Sequence, residues 1–236
     1  MLGQASTRKL QESAVVVFGL GGVGGSLTEA LARAGVGKFL LVDFDVVAPS
    51  NINRQAIALH STVGRFKANC MRERISDINP HATVETKIMR INAENINEID
   101  FALYDYIADA VDDVDAKIAI IKKAKAENKR VISCMGAGNR LTARFLVADI
   151  GKTYGCPLAK AVRNRLKDEG IEGVKAVFCP DPPEKNADLP AKMFKNATNT
   201  KKDATGEKTS KTIGSVPFIP PAAGLFMAGE IILELI

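Results

Sequence analysis

The stretch from Ser13 to Gln55 most constrains what this chain can fold into. Ala14 to Phe18 is a short, β-branched, continuously apolar run, suited to a strand buried on both faces of a parallel sheet. Gly19, Gly21 and Gly24, with Gly22 between them, give the G-x-G-x-x-G spacing where that strand ends. Leu27 to Val36 then shows helical spacing, with Leu27, Ala30, Leu31 and Ala34 on one side, and Phe39 to Val42 forms a second apolar strand closing at Asp43. Strand, glycine turn, helix, strand and acid make one nucleotide-binding βαβ half.

Glycine lets the backbone approach a phosphate where a Cβ would collide. The helix start offers free N–H groups and partial positive charge to an anion. Asp43, at a strand's carboxyl end, is placed to accept from both ribose hydroxyls. These features point to an adenine nucleotide and leave NAD and ATP both open. The residues after Asp43 separate them. Asp43-Phe44-Asp45 leads to Asn51-Ile52-Asn53-Arg54-Gln55, and Lys67 comes after a His-Ser-Thr-Val-Gly turn. Arg54 and Lys67 are two fixed cations for a triphosphate, which NAD lacks. Arginine presents a bidentate fork to phosphate oxygens and lysine a point charge.

GxGGVG, DFDxVxxSNINRQ, ALHSTVGRFK and the later DAVD resemble the ATP-dependent adenylyltransferases of the ubiquitin-activating-enzyme superfamily, the ThiF/MoeB-like proteins. Within that superfamily the tRNA threonylcarbamoyladenosine dehydratase group is the best match. It rests on Ser133 to Asn139 (SCMGAGN), Asp149 to Tyr154 (DIGKTY), Cys156 to Lys160 (CPLAK) and Gly214 to Pro221 (GSVPFIPP). The resemblance covers nearly the whole chain except roughly residues 184–212. It implies ATP and Mg²⁺ as cofactors, with Arg54 and Lys67 on the phosphates, Asp112 on the metal, and Asn51 and Gln55 orienting oxygens. It also implies adenylation of a carboxylate, the threonylcarbamoyl group on the adenosine beside the anticodon. Capture by the group's own ureido nitrogen then closes a ring with net loss of water. Two departures stand out. An arginine that relatives carry ahead of the segment matching Met1-Leu2-Gly3 has no counterpart in this sequence, Arg8 lying elsewhere, which leaves either a longer protein or weakened activity. Gly25 stands where relatives usually have serine, removing one phosphate contact.

The expected fold class is α/β: a Rossmann-like sheet with flanking helices, plus a basic, partly flexible insert before the C-terminal helix. Residues 1–150 read as the ATP-binding core, 151–212 as a basic insert on the substrate side, and 213–236 as a strand and helix returning to the core. Net charge is +5, and residues 151–212 hold 13 Lys and Arg against 8 Asp and Glu. A local basic surface suits an anionic macromolecule such as tRNA, although a solvated lysine-rich loop has the same charge. No signal or transit segment opens the sequence, and residues 222–236 carry Glu230 and Glu234, so they read as a core helix and not as a membrane span. None of the four cysteines pairs as C-x-x-C, which speaks against a structural zinc site, and without an export signal a cytoplasmic protein with reduced thiols is the expectation.

Further elements are expected as helices over Val63–Asn79, Asn92–Ile99, Lys117–Asn128 and within Lys152–Glu169, and as strands over Thr83–Ile88, Tyr104–Ala108, Val131–Cys134, Phe145–Ile150 and Val174–Phe178. The lysines of Lys117–Asn128 read as a solvated face. Asp112 stands equally where a helix N-cap would stand, with Asp113 the other candidate cap. Residues 184–212, rich in polar residues, read as a flexible loop that orders over tRNA. Cys179 is the one thiol whose position suggests exposure, with a structural thiol the plainer reading; Cys70, Cys134 and Cys156 read as inert. His60 and His81 read as loop residues.

A homodimer through the apolar C-terminal helix is expected. Three rivals stand beside the leading reading. The first is activation of a small ubiquitin-like sulfur carrier, which lacks zinc cysteines here; a sulfur-transfer partner is not indicated. The second is an NAD-dependent oxidoreductase, which Arg54 and Lys67 oppose. The third is a tRNA-binding relative that has lost its chemistry.

Overall fold

A computed structural model describes residues 2–184, 200–202, 208–210 and 214–236. The helix over Gly3–Glu12 (α1) leads into Ala14–Phe18 (β1), then Gly22–Ala34 (α2), Lys38–Val42 (β2), Lys67–Ile78 (α3) and Thr83–Lys87 (β3). Tyr106–Asp109 (β4), Val114–Ala126 (α4) and Arg130–Cys134 (β5) form the next βαβ unit. They are followed by Leu146–Asp149 (β6), Pro157–Asp168 (α5), Lys175–Phe178 (β7), and finally Ile219–Leu235 (α6). Strand order is β3-β2-β1-β4-β5-β7-β6, all parallel except the edge strand β6, which runs antiparallel to β7. Two further short strands, Thr200–Lys202 and Lys208–Ser210, pair antiparallel with each other. Otherwise the expected flexible loop of residues 184–212 lies, beyond Glu184, outside the described residues.

The chain reverses direction across the sheet between β1 and β4, the switch point where such sheets open a crevice at their carboxyl ends. All five residues of β1 are buried, as a run without alternation requires of a strand covered by helices on both faces. One core lies under α2, α3 and α6, with Leu27, Leu31, Met71 and Ile231; the other lies under α4 and α5, with Ile120, Ile121, Val162 and Leu166. The glycine turn is held by two backbone contacts. Gly19 has φ +82°, and a Cβ there would sit 2.8 Å from the Ala110 carbonyl oxygen. A Cβ on Gly24 would lie 1.8 Å from the Gly19 carbonyl oxygen, so the helix start presses directly on the turn.

Several boundaries differ from the sequence expectation. No α-helix forms over Asn92–Ile99: only one 3₁₀ turn, Ile96–Glu98, is present, because the Asn92 carboxamide oxygen accepts the Glu94 and Asn95 amides and tightens the chain into a turn. Helix α3 begins at Lys67 and not at Val63, since Gly64 takes φ +85° after a separate 3₁₀ turn at His60–Thr62. Helix α4 begins at Val114, capped by Asp113, whose carboxylate accepts the Ala116 amide at 2.9 Å. Lys117, expected on the solvated face, is fully buried. Helix α6 starts at Ile219 and takes Pro220 and Pro221 into its first turn, where the missing N–H costs nothing. Cys179 is fully buried at the end of β7, not exposed. No helix among the described residues is long and apolar enough to cross a membrane.

Helix α6 is fastened to β7 by Lys175, which donates to Glu230 at 2.8 Å and also to Glu234. Burial alone would raise the Glu234 pKa, but the hydrogen bonds from Lys175 and Tyr106, with the Lys175 and Arg130 charges, outweigh it and lower it. A depressed carboxylate pKa contributes stability above the ordinary value of 4.5, and that contribution is lost as pH falls through the folded-state value. Lys175→Met therefore lowers stability at neutral pH and above, and its difference from wild type in chemical denaturation followed by far-UV circular dichroism shrinks as pH falls through the folded-state value of Glu234. Gly24→Ala forces two backbone segments apart, and by analogy with overpacked cores costs about 1–3 kcal/mol in chemical denaturation.

Candidate active site

The crevice at the carboxyl ends of β1, β2 and β4 collects most of the residues singled out from the sequence. Gly21 is the N-cap of α2 and leaves the first amides of that helix free, so an anion can settle there. Asp43 leaves β2 and turns back beneath the glycine turn. One carboxylate oxygen accepts the Leu20 amide at 2.6 Å and the other accepts the Asp45 amide at 2.8 Å. Burial raises the Asp43 pKa, outweighing the lowering by Lys67 and by those two amides. Each carboxylate oxygen keeps a second lone pair, so ribose hydroxyls can still be accepted.

Lys67, the first residue of α3, is buried, and its ammonium donates to the Asp45 carboxylate at 2.7 Å while its amide donates to the Asp45 carbonyl. A chain of contacts thus runs from Lys67 through Asp45 and Asp43 to the glycine turn at Leu20. The loop between β2 and α3 supplies the remaining groups. Asn51 uses its carboxamide oxygen to accept the Ala48 amide, and its carbonyl accepts the amides of Arg54 and Gln55. Its role is to hold the turn that presents the next two side chains. The Arg54 carbonyl lies 3.2 Å from where a Gly22 Cβ would stand, so this loop rests on the helix start. The guanidinium donates to the Ser50 carbonyl and to the Asn53 carboxamide oxygen, which keeps it within its own loop. Burial lowers the Arg54 pKa, yet a guanidinium remains charged.

Gln55 is buried, its carboxamide nitrogen 3.8 Å from the position of a Gly21 Cβ, and its carboxamide oxygen has no partner among the described residues. A buried acceptor without a donor is rare enough to call for an explanation, and a ligand in the crevice supplies one. With the amide turned over, the same side chain offers its N–H groups to a phosphate oxygen.

Asp112 is exposed and follows directly on Ala110 and Val111, the two residues seated against Gly19. Asp113 performs the capping, and Asp112 is left exposed beside it. The geometry brings the glycines, Asp43, Gln55, the Arg54 backbone and the DAVD turn together. It ties Lys67 to them through Asp45, and it leaves the Arg54 guanidinium engaged with its own loop.

Two features escaped the sequence reading. Arg90 lies over the Phe44 ring at 5.3 Å and approaches Asp113 at 3.5 Å, linking the loop after β2 to the start of α4. Lys117 sits in a buried cluster with Asp109 and Ser133. Its spacing with Ile121 and Ala124, four and seven residues on, was the available signal that it shares their inward face. All four cysteines are buried, and burial pushes the Cys134 thiol up to about 12. None is placed to act as an exposed acyl acceptor.

The ThiF family model matches residues 1–235. The tRNA threonylcarbamoyladenosine dehydratase of Bacillus subtilis is 40% identical over 238 residues, spanning 100% of this chain and 91% of that protein. Its Escherichia coli counterpart is 35% identical over 187 residues, 75% of this chain and 70% of that protein. The crystal structure of E. coli tRNA N6-threonylcarbamoyladenosine dehydratase in complex with ATP superposes with a TM-score of 0.84 at 28% identity, covering 99% of this chain and 89% of that one. The chain belongs to the ThiF family and, within it, to the tRNA threonylcarbamoyladenosine dehydratases.

Proposed function

We infer that this protein adenylates the threonylcarbamoyl carboxylate of N6-threonylcarbamoyladenosine in tRNA and lets the activated group cyclise with net loss of water. The observation that carries the reading is the buried, unpartnered Gln55 carboxamide oxygen at the mouth of the glycine turn, inside a crevice lined by the Lys67–Asp45–Asp43 chain. A carboxylate oxygen attacks the α-phosphorus, the bond to the β-phosphate oxygen breaks, and pyrophosphate leaves. The ureido nitrogen then attacks the acyl carbon, loses its proton and expels AMP.

The protein's part in these steps is positioning and charge. The free amides at the start of α2 receive phosphate oxygens, and Asp43 accepts from the ribose. Lys67 and Arg54 stabilise charge as it moves onto pyrophosphate, which requires the Arg54 guanidinium to swing from the Ser50 carbonyl towards the phosphates. Magnesium fits the donor set, because a hard cation that draws ligands from phosphate and water needs only one or two carboxylates. Asp112 would hold it, and the ion would offset phosphate charge. Ring closure needs no protein nucleophile, in accord with the burial of every cysteine. This favours self-capture over transfer to a carrier protein.

We place the tRNA on the side of α5, where Lys160 and Lys167 are exposed, and the protein in the cytoplasm, where tRNA is modified. Phe218, Leu225, Phe226 and Leu233 are exposed along one face of α6, opposite the small residues that pack on α2, and this face is the proposed homodimer surface.

Incubation with ATP, Mg²⁺ and modified tRNA should lower the mass of the nucleoside by one water in mass spectrometry; an unchanged mass with a folded, ATP-binding protein overturns the reading. Arg54→Ala and Lys67→Ala each reduce the rate about 10²- to 10³-fold, as loss of one preorganised electrostatic group does. Light scattering should return a dimer for the wild type and a monomer for Leu233→Glu.

A further inference from the structure

Lys117 and Asp109 are both fully buried, and the ammonium lies 3.0 Å from one carboxylate oxygen. Ser133, opposite Asp109 on the neighbouring strand, donates to that same oxygen at 2.5 Å and sits 3.4 Å from the Lys117 ammonium. The other Asp109 oxygen accepts the Val111 amide at 3.1 Å. A buried ion pair is weak support for stability, because an apolar pair of similar volume commonly does as well. What the charges add is direction. With one oxygen held by Lys117 and Ser133, the second can only point along the chain, where it fixes the Val111 amide. Ala110 and Val111 are the residues seated against Gly19, and Asp112 comes next.

We propose that Lys117, acting through Asp109 and Val111, is a positioning residue that sets the Asp112 carboxylate against the nucleotide phosphates and their metal. The inference rests on the reading of Asp112 given above. It predicts that the buried cluster matters for metal-assisted nucleotide binding and little for the fold. Outer-shell partners of a metal ligand typically contribute about 10- to 100-fold in affinity.

The test uses the full chain with Asp109→Leu/Lys117→Met, which removes both charges and leaves neither partner alone. Calorimetric ATP affinity is measured with Mg²⁺ and again with EDTA, beside a thermal melt. The expected result is a melt close to wild type, unchanged affinity in EDTA, and about a tenfold smaller gain in affinity from Mg²⁺. Asp112→Asn should show the same loss, and combining it with the double variant should add nothing, the signature of groups acting as one unit. If the double variant does not fold, Ser133→Ala carries the same comparison with a smaller loss in the same direction. A wild-type magnesium gain in the folded double variant or in Ser133→Ala, or losses that simply add with Asp112→Asn, overturns the role of Lys117. A wild-type gain in Asp112→Asn alone instead sinks the reading of Asp112, and the inference falls with it.

Discussion

The structure depends on a close backbone approach: the turn at Gly19 lies against the carbonyl of Ala110, and Gly24 lies against the carbonyl of Gly19. The neighbouring ends of β1 and α2 meet the distant exit of β4 there, with only the Ala110 methyl at the contact. The end of β1, the start of α2 and the exit of β4 are thereby fixed tightly relative to one another. Free amides at the helix start and the turn that carries Asp112 are consequently held close together. A methyl group on Gly19 or Gly24 would push these segments apart.

Around this contact the protein uses buried charge sparingly and for placement. Asp43 is held under the turn by two amides, Lys67 is anchored to Asp45, and the Asp109–Lys117–Ser133 cluster holds the exit of β4 from below. Each is a polar group taken from water and then satisfied by specific partners, the arrangement that makes a polar network rigidify its surroundings. Gln55 is an exception, a buried acceptor with no donor among the described residues, and the Ser215 hydroxyl is another buried group without a partner there. Gln55 lies beside the glycine turn, and the satisfied charges hold the segments around it.

The βαβ half around the glycine turn was legible because each of its signals is local. A continuous apolar run, three spaced glycines, an amphipathic helix and an acid are all within reach of one another along the chain. The later strands were legible for the same reason. Where the sequence misled, a local alternative won or a distant partner intervened. The Asn92 side chain captured two amides and made a turn in place of a helix. Asp112 and Asp113 were indistinguishable as caps until the helix start fixed Asp113 on the Ala116 amide. Lys117 lay in a lysine-rich segment, and only the carboxylate arriving from β4 and the hydroxyl from β5 make its burial tolerable.

The sequence by itself determined the alternating α/β order, the nucleotide turn and the residue types available to bind a triphosphate, since these come from periodicity and from the chemistry of neighbouring side chains. Only the tertiary structure decided which of those side chains meet. It tied Lys67 to Asp45, turned the Arg54 guanidinium back on its own loop, buried all four thiols and carried a lysine into the core beneath the site. The physical reason is that charge and hydrogen-bonding capacity are properties of a residue, whereas whether they serve a ligand or a neighbour depends on what the folded chain brings within about three ångströms.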